Sequence, residues 1–265
     1  MHFIKYQGLG NDFVLLLGTG PETPPIAPAL AARICARGHG VGADGVMRLR
    51  PGGQAHLAME LLNADGSTPE MCGNGIRCLV KYAVEELGWV DSPLDVATVA
   101  GLRRCTYTLD DLGKVASVRV GMGRAQVEPR SVDGHDGWYV DVGNPHFVLF
   151  REETLAPEVA RSLGAALSSH EAFPEGCNIE FVRTLAPDHL EVTVYERGCG
   201  LTKACGTGAT AVVAAAVQSQ RAKANEDIRV SLPGGDLEIR VSQDGQETWM
   251  EGPATEVYRG QLSER

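Results

Sequence analysis

Apolar positions along the chain fall into two series of the same shape. Each opens with a β-branched and leucine-rich run read as a strand, Phe13 to Leu17 and then Phe147 to Phe150, and continues into an Ala/Leu pattern of helical spacing at about 27 to 37 and 155 to 167. Two more strand-like runs follow in each series: Gly45 to Arg50 with Leu57 to Leu62, and Asn178 to Arg183 with Leu190 to Tyr195. Each series then reaches a Cys-Gly pair, MCGNG at 71 to 75 and ACGTG at 204 to 208, and turns helical. The first of these helices, IRCLVKYAVEEL, stops at Gly88, a natural C-cap, and the second, ATAVVAAAVQSQ, is rich in alanine.

The likeness is one of register as well as order. Cys72 and Cys205 lie 133 residues apart, and the same gapless offset sets Gly10-Asn11 on Gly143-Asn144, Asn63 on Glu196, Gly45 on Asn178, and Ala83-Val84 on Ala216-Val217. Identity is otherwise low, which points to an old duplication with two copies rather than a solenoid. Further strand-like runs occupy 94 to 99, 103 to 109, 115 to 120, 227 to 231, 237 to 242 and 246 to 250. The expected fold is α+β: two pseudo-symmetric α/β lobes from an internal duplication, spanning 1–115 and 116–251, with 252–265 returning to the first lobe and an active site in the cleft between them.

Composition narrows the class. At 265 residues, 43% hydrophobic and 22% charged, the chain reads as an ordinary globular protein large enough to bury a core. A formal charge of -10, with no stripe of Lys and Arg, argues against nucleic acid and anionic membranes as partners. The apolar stretch Ala209 to Val217 is far short of a membrane span, and MHFIKYQGLGND has no secretion signal, so a cytoplasmic location is expected. Seven cysteines in such a setting suggest catalytic, metal-binding or simply buried thiols.

The two cysteines that start helices have a chemistry of their own. Free N–H groups and the positive end of the helix dipole favour thiolate there and lower the thiol pKa from about 8.5. Gly73 and Gly206 allow a ligand close to the backbone, and the N–H groups of Asn74 and Thr207 point where a carboxylate could bind. Two such helix starts facing one cleft would suit the inversion of a carbon centre, in which one thiolate removes a proton from one face and one thiol returns a proton to the other. No redox cofactor is implied, and none of the five lysines sits in a setting that suggests a pyridoxal Schiff base. Other readings stay open on the residues alone: two buried structural thiols, a zinc site, or a redox pair. Zinc is disfavoured because Cys72 with Cys78 and Cys199 with Cys205 are each separated by five residues, with no C-x2-C and no His pair nearby. The string Gly40 to Gly45 fits G-x-G-x-x-G, yet it leads into a strand rather than a helix and is read as a turn.

Six ordered motifs, GLGNDFVLL (8 to 16), NADGSTPEMCGNGIRC (63 to 78), GNPHFV (143 to 148), FPEGCNIEFV (173 to 182), YERGCGLTKACGTGA (195 to 209) and GPATEVY (252 to 258), resemble the diaminopimelate epimerase family over nearly the whole chain. The resemblance implies a cofactor-independent, metal-free isomerase that converts L,L-diaminopimelate to the meso form for lysine and peptidoglycan synthesis. By that resemblance Cys72 and Cys205 are the two acid–base residues, with His146 and Glu196 tuning them. Gly73, Asn74, Gly206 and Thr207 hold the reacting carboxylate, while Asn11, Asn63, Asn144, Asn178, Glu196 and Arg197 contact the remaining amino and carboxylate groups. Tyr258 matches a residue near the family's dimer contact, which implies a homodimer. Gly45 stands where many members carry Gln, and Cys199 and Leu201 replace the usual Ala and Glu of the ERGAGET string.

Overall fold

A computed structural model describes residues 1–18, 20, 22–69 and 71–263. The chain divides into two compact units, Met1–Val120 with Gly252–Arg265, and Gly121–Glu251. Unit 1 contains the strands β1 (His2–Gly8), β2 (Asn11–Leu16), β3 (Gly45–Pro51), β4 (Leu57–Asn63), β5 (Leu94–Thr98) and β6 (Gly101–Leu109), and β7 (Val115–Gly123) through Val120; its helices are α1 (Pro28–Cys35) and α2 (Gly73–Leu87). Unit 2 contains β8 (Gln126–Val132), β9 (His135–Asp141), β10 (Pro145–Arg151), β11 (Asn178–Ala186), β12 (His189–Glu196), β13 (Gly200–Thr202), β14 (Asp227–Leu232), β15 (Gly235–Val241) and β16 (Thr248–Gly252) through Glu251, with helices α3 (Pro157–Ser168) and α4 (Gly206–Gln218). The last strand, β17 (Thr255–Gln261), belongs to unit 1 and pairs antiparallel with β1, setting Lys5 opposite Tyr258.

Strand order is the same in both units. In unit 1 it runs β17-β1-β2-β3-β4-β5-β6-β7, and in unit 2 β8-β9-β10-β11-β12-β14-β15-β16, each with parallel pairs at the third and fifth contacts of an otherwise antiparallel sheet. Register repeats too. The parallel pair β2–β3 sets Phe13 against Gly45, and β10–β11 sets His146 against Asn178, both residues shifted by the sequence offset. Sheets therefore preserve the duplication where side-chain identity has faded. Each unit draws one outer strand from the end of the other repeat: β8 follows β7 yet pairs with β9, and β17 follows β16 yet pairs with β1.

Both faces of each sheet are covered. On the face carrying Val14, Leu16, Val46 and Leu62, α1 packs through Ala31, Ile34 and Cys35. Strand alternation turns Phe13, Met47 and Leu61 the other way, where Gly75 of α2 lies against Leu61 and Met47. In unit 2, Phe147, Leu149, Ile179 and Phe181 meet α3, leaving His146 and Glu180 on the α4 face, with Glu180 against Gly208. Every residue of α4 from Gly206 to Val217 is buried, so this helix is small and largely apolar all round, with Thr207 and Thr210 its only polar side chains in that stretch. In α2 burial runs from Gly73 to Ala83, and the helix ends at Gly88 with φ +70°, the left-handed C-cap its glycine permits.

Five strands escape the hydrophobic pattern. β1 carries a lysine inside its apolar run, and Lys5 is buried because Asp12 (2.7 Å) and the Gly42 carbonyl receive it. β8 is mostly exposed and contains Pro129, β9 is interrupted by Gly137, and β13 has three residues. β17 buries none of its seven residues and is held by backbone pairing with β1, so no periodic signal exists to find. The Gly40 to Gly45 string is the connection from α1 into β3, a turn as expected.

Candidate active site

Equivalent ends of the two sheets gather the candidate residues. In unit 1 the start of β2 supplies Asn11, the entry to β3 supplies Asp44, and the end of β4 supplies Asn63, opposite Gly45 in the β3–β4 ladder. In unit 2, Asn144 precedes β10, Asn178 begins β11 and Glu196 ends β12. The register that duplicates the strands thus duplicates these positions, and each helix start follows a loop from the same sheet end.

Cys72 is the N-cap of α2 and Cys205 the N-cap of α4. Each sulfur accepts the N–H of the third helical residue, Gly75 or Gly208, at 3.4 Å. A methyl at Gly75 would stand 3.2 Å from Cys72 Sγ, and one at Gly208 would stand 3.3 Å from Cys205 Sγ, so the second glycine of each CGxG string gives the sulfur room. Sequence reasoning singled out Gly73 and Gly206, which are the first helical residues and buried, but passed over Gly75 and Gly208.

The neighbouring amides pair in matching positions with opposite polarity. Asn74 Nδ2 donates to Asn11 Oδ1 at 3.2 Å, whereas at the equivalent place Asn144 Nδ2 donates to Thr207 Oγ1 at 3.4 Å. Asn11 is oriented by an acceptor, donating its own Nδ2 to Asp44 Oδ2 at 2.8 Å. Asn144 is oriented through its oxygen, 3.1 Å from His146 Nε2. Asn63 donates to Ser67 Oγ at 3.0 Å. Asn178 donates to the Pro145 carbonyl at 3.0 Å and accepts the Arg197 N–H at 2.9 Å, and Arg197 Nη1 donates to the Glu175 carbonyl at 2.9 Å. Tyr258 is on β17, its ring edge-on to Phe3 at 6.0 Å.

Electrostatics separate the two thiols. The expectation that a helix start lowers both fails at Cys205. Burial pushes this thiol well up, Glu196 and Glu180 add to the rise, and the Thr207 hydroxyl and Gly208 N–H recover only part of it. Glu196 is itself raised, chiefly by burial, with Thr202, Cys205 and His146 acting against that rise and Glu180 adding to it. Cys72 interacts with a buried cation. Arg77 is fully buried in α2, donates from Nε to the Pro253 carbonyl at 3.1 Å, and is lowered to about 10 by burial, with Cys78 and Cys72 holding it up. Neither Arg77 nor Glu180 is a position that motif reading singles out. Among the described residues no cluster of three or more His, Cys, Asp or Glu is placed to hold a metal ion, and no helix is long and apolar enough to cross a membrane.

This two-sheet arrangement is shared with solved isomerase structures: a probable proline racemase from Agrobacterium radiobacter K84 superposes with a TM-score of 0.74 at 18% identity, covering 99% of this chain and 92% of the other. That likeness defines the fold. The family model described as diaminopimelate epimerase matches residues 3–128 and again 138–257, one match to each repeat. Diaminopimelate epimerases from Moorella thermoacetica and Desulforudis audaxviator are 41% and 42% identical to this chain, each covering 98% of both sequences. The chain belongs to the diaminopimelate epimerase family.

Proposed function

We propose that this protein is an isomerase that interconverts L,L- and meso-diaminopimelate by a two-base reaction without a cofactor, feeding lysine and peptidoglycan precursor synthesis. The observation that carries the reading is the pair of cysteines in one setting, each capping a buried helix at the same end of a duplicated sheet, with its sulfur on the N–H of the third residue. A thiolate on one face of the substrate takes the α-proton, and the carbon passes through a planar carbanion whose charge spreads into the carboxylate. The opposing thiol then delivers its proton to the other face, leaving one new thiol and one new thiolate. Backbone N–H groups of Gly73, Asn74, Gly206 and Thr207 receive the carboxylate, the group where charge develops in the transition state.

Asn11, Asn63, Asn144, Asn178, Glu196 and Arg197 hold the rest of the substrate, with the planar Arg197 guanidinium suited to a distal carboxylate. His146 and Glu196 tune the proton affinity of the two thiols. The working form is a cytoplasmic homodimer, for which Val257 and Tyr258, 53% and 44% exposed on β17, are the contact. The test is incubation of reduced enzyme with pure L,L-diaminopimelate in deuterated water. Wild-type protein forms meso product carrying deuterium at the α-carbon, and Cys72→Ala and Cys205→Ala each abolish epimerisation. Full turnover by either single variant rejects the two-base scheme.

A further inference from the structure

Glu180 is a buried carboxylate that the fold does not need. Its counterpart in the duplicated frame is Met47, and the counterpart of its partner His146 is Phe13; these residues occupy the same strand positions on the α2 face of unit 1. Glu180 and His146 have no solvent exposure, and Glu180 Oε2 has no hydrogen-bond partner among the described residues. A charge buried with an oxygen unmet costs stability, so a fold satisfied by Met and Phe at these sites gives no structural reason for Glu and His.

Hydrogen bonding around the ring supplies a reason. Glu180 Oε1 lies 2.6 Å from His146 Nδ1, and Asn144 Oδ1 lies 3.1 Å from Nε2. Both partners are acceptors. A neutral imidazole carries one N–H and can serve only one of them, whereas the imidazolium serves both, with Glu180 as counter-ion. The carboxylate also lies against the first turn of α4, where a methyl at Gly208 would stand 2.8 Å from Oε1, and this positive helix end favours an anion. The other titratable groups acting on this cluster are Glu196 from β12, Cys205 at the α4 cap and Cys177 ahead of β11.

We propose that Glu180 is a positioning residue of the epimerase: by keeping both protons on His146 it pins the Asn144 oxygen to the ring and turns the Asn144 NH2 toward Thr207, the Cys205 helix start and the substrate. The amide then offers donors to a carboxylate. Were the ring neutral with its proton on Nδ1, Nε2 would be an acceptor, the amide would reverse, and its oxygen would face the substrate's negative charge. This inference rests on the reading of Cys205 as an acid–base residue.

The experiment uses the full-length reduced enzyme labelled with nitrogen-15. At neutral pH and without substrate, His146 in the wild type shows two protonated ring nitrogens. Glu180→Gln, which preserves shape, converts the ring to the neutral tautomer protonated on Nδ1 and lowers kcat/KM for L,L-diaminopimelate by about tenfold to a hundredfold, KM rising with the loss of the ground-state contact and kcat falling because that contact strengthens as charge grows on the carboxylate. In a His146→Gln background the same change costs nothing further. If thermal melting shows Glu180→Gln unfolded, Glu180→Met, copying the first repeat, provides the comparison. A neutral His146 in the wild type, an unchanged ring signature and kcat/KM in the variant, or an equal loss in the His146→Gln background each overturns the relay. The ring signature needs no substrate, so failure of the relay is distinguishable from failure of the epimerase reading, which wild-type turnover reports.

Discussion

Cys72 interacts with the buried cation Arg77, and Cys205 with the carboxylates Glu196 and Glu180, although both cysteines cap equivalent helices at equivalent ends of the same fold. The counterpart of Arg77 in α4 is Thr210, whose hydroxyl donates to the Gly206 carbonyl at 2.9 Å and brings no charge. The supports of the two asparagines differ in the same sense: Asp44 accepts a hydrogen bond from the Asn11 amide, while His146 meets the oxygen of Asn144. Duplication therefore conserved sulfur geometry and let the surrounding charge diverge. A buried cation acting on Cys72 works in the direction of thiolate and carboxylates acting on Cys205 work in the direction of thiol, which on the two-base reading proposed above would give the two cysteines different resting roles. Two identical thiols would share one proton affinity and divide these roles less well.

Removing the acidic partner of Cys205 should give the largest effect. Glu196→Gln is expected to lower kcat/KM by about a hundredfold while leaving the fold intact, read from initial rates alongside thermal melting. Because Glu196 is raised in the folded protein, it holds its proton there over a range in which the unfolded chain has released it. Its contribution to stability is complete below the ordinary carboxylate range and is lost as pH rises through the folded value. The variant should accordingly gain stability relative to wild type on going from pH 4 to pH 8; an advantage that shrinks over that range would contradict the burial of this acid.

On the unit 1 side the charge network has the opposite sign of pH dependence. Burial disfavours ionised Asp12, but hydrogen bonds from Arg37 and Lys5 outweigh it and bring the carboxyl down to about 2 from its ordinary 3.8. The stability this provides is present above about pH 4 and is lost as pH falls through the folded value. Asp12→Asn should cost about 1 to 2 kcal/mol near neutrality, allowing for screening at the Arg37 side, and the cost should shrink steeply toward pH 2 and vanish below it in denaturant titrations. Next comes the cation itself. Arg77→Met should slow alkylation of Cys72 by iodoacetamide at neutral pH by about tenfold and leave Cys205 unaffected; equal slowing at both would deny the difference between the units. Smallest is Tyr258→Ala, which should change the melting free energy of the monomer by no more than about 1 kcal/mol while shifting sedimentation from dimer toward monomer.

What the chain discloses unaided follows from where its signals lie. Helix starts at Cys72 and Cys205 and the strands at 45 and 178 are legible because apolar periodicity and the Cys-Gly strings survive in both copies. β17 leaves no such trace, since a strand held by backbone pairing, an ion pair from Arg259 to Glu86 and the ring contact of Tyr258 with Phe3 needs no apolar face. Arg77 and Glu180 are hidden for another reason. In NIEFV the glutamate looks like the solvent-facing position of an alternating strand, and only with helices on both faces of the sheet does that position become an interior one. The chemical asymmetry of the thiols resides in those buried charges, so sequence alone predicts two similar cysteines where the fold builds two different ones.

The most direct measurement is the isotopic content of both species at low conversion, with L,L-diaminopimelate and reduced enzyme in deuterated water. Two separate proton carriers predict that the meso product contains deuterium at the inverted carbon while recovered substrate retains protium. A product that keeps the original α-proton would mean that a single group carries it from face to face, and would contradict the account.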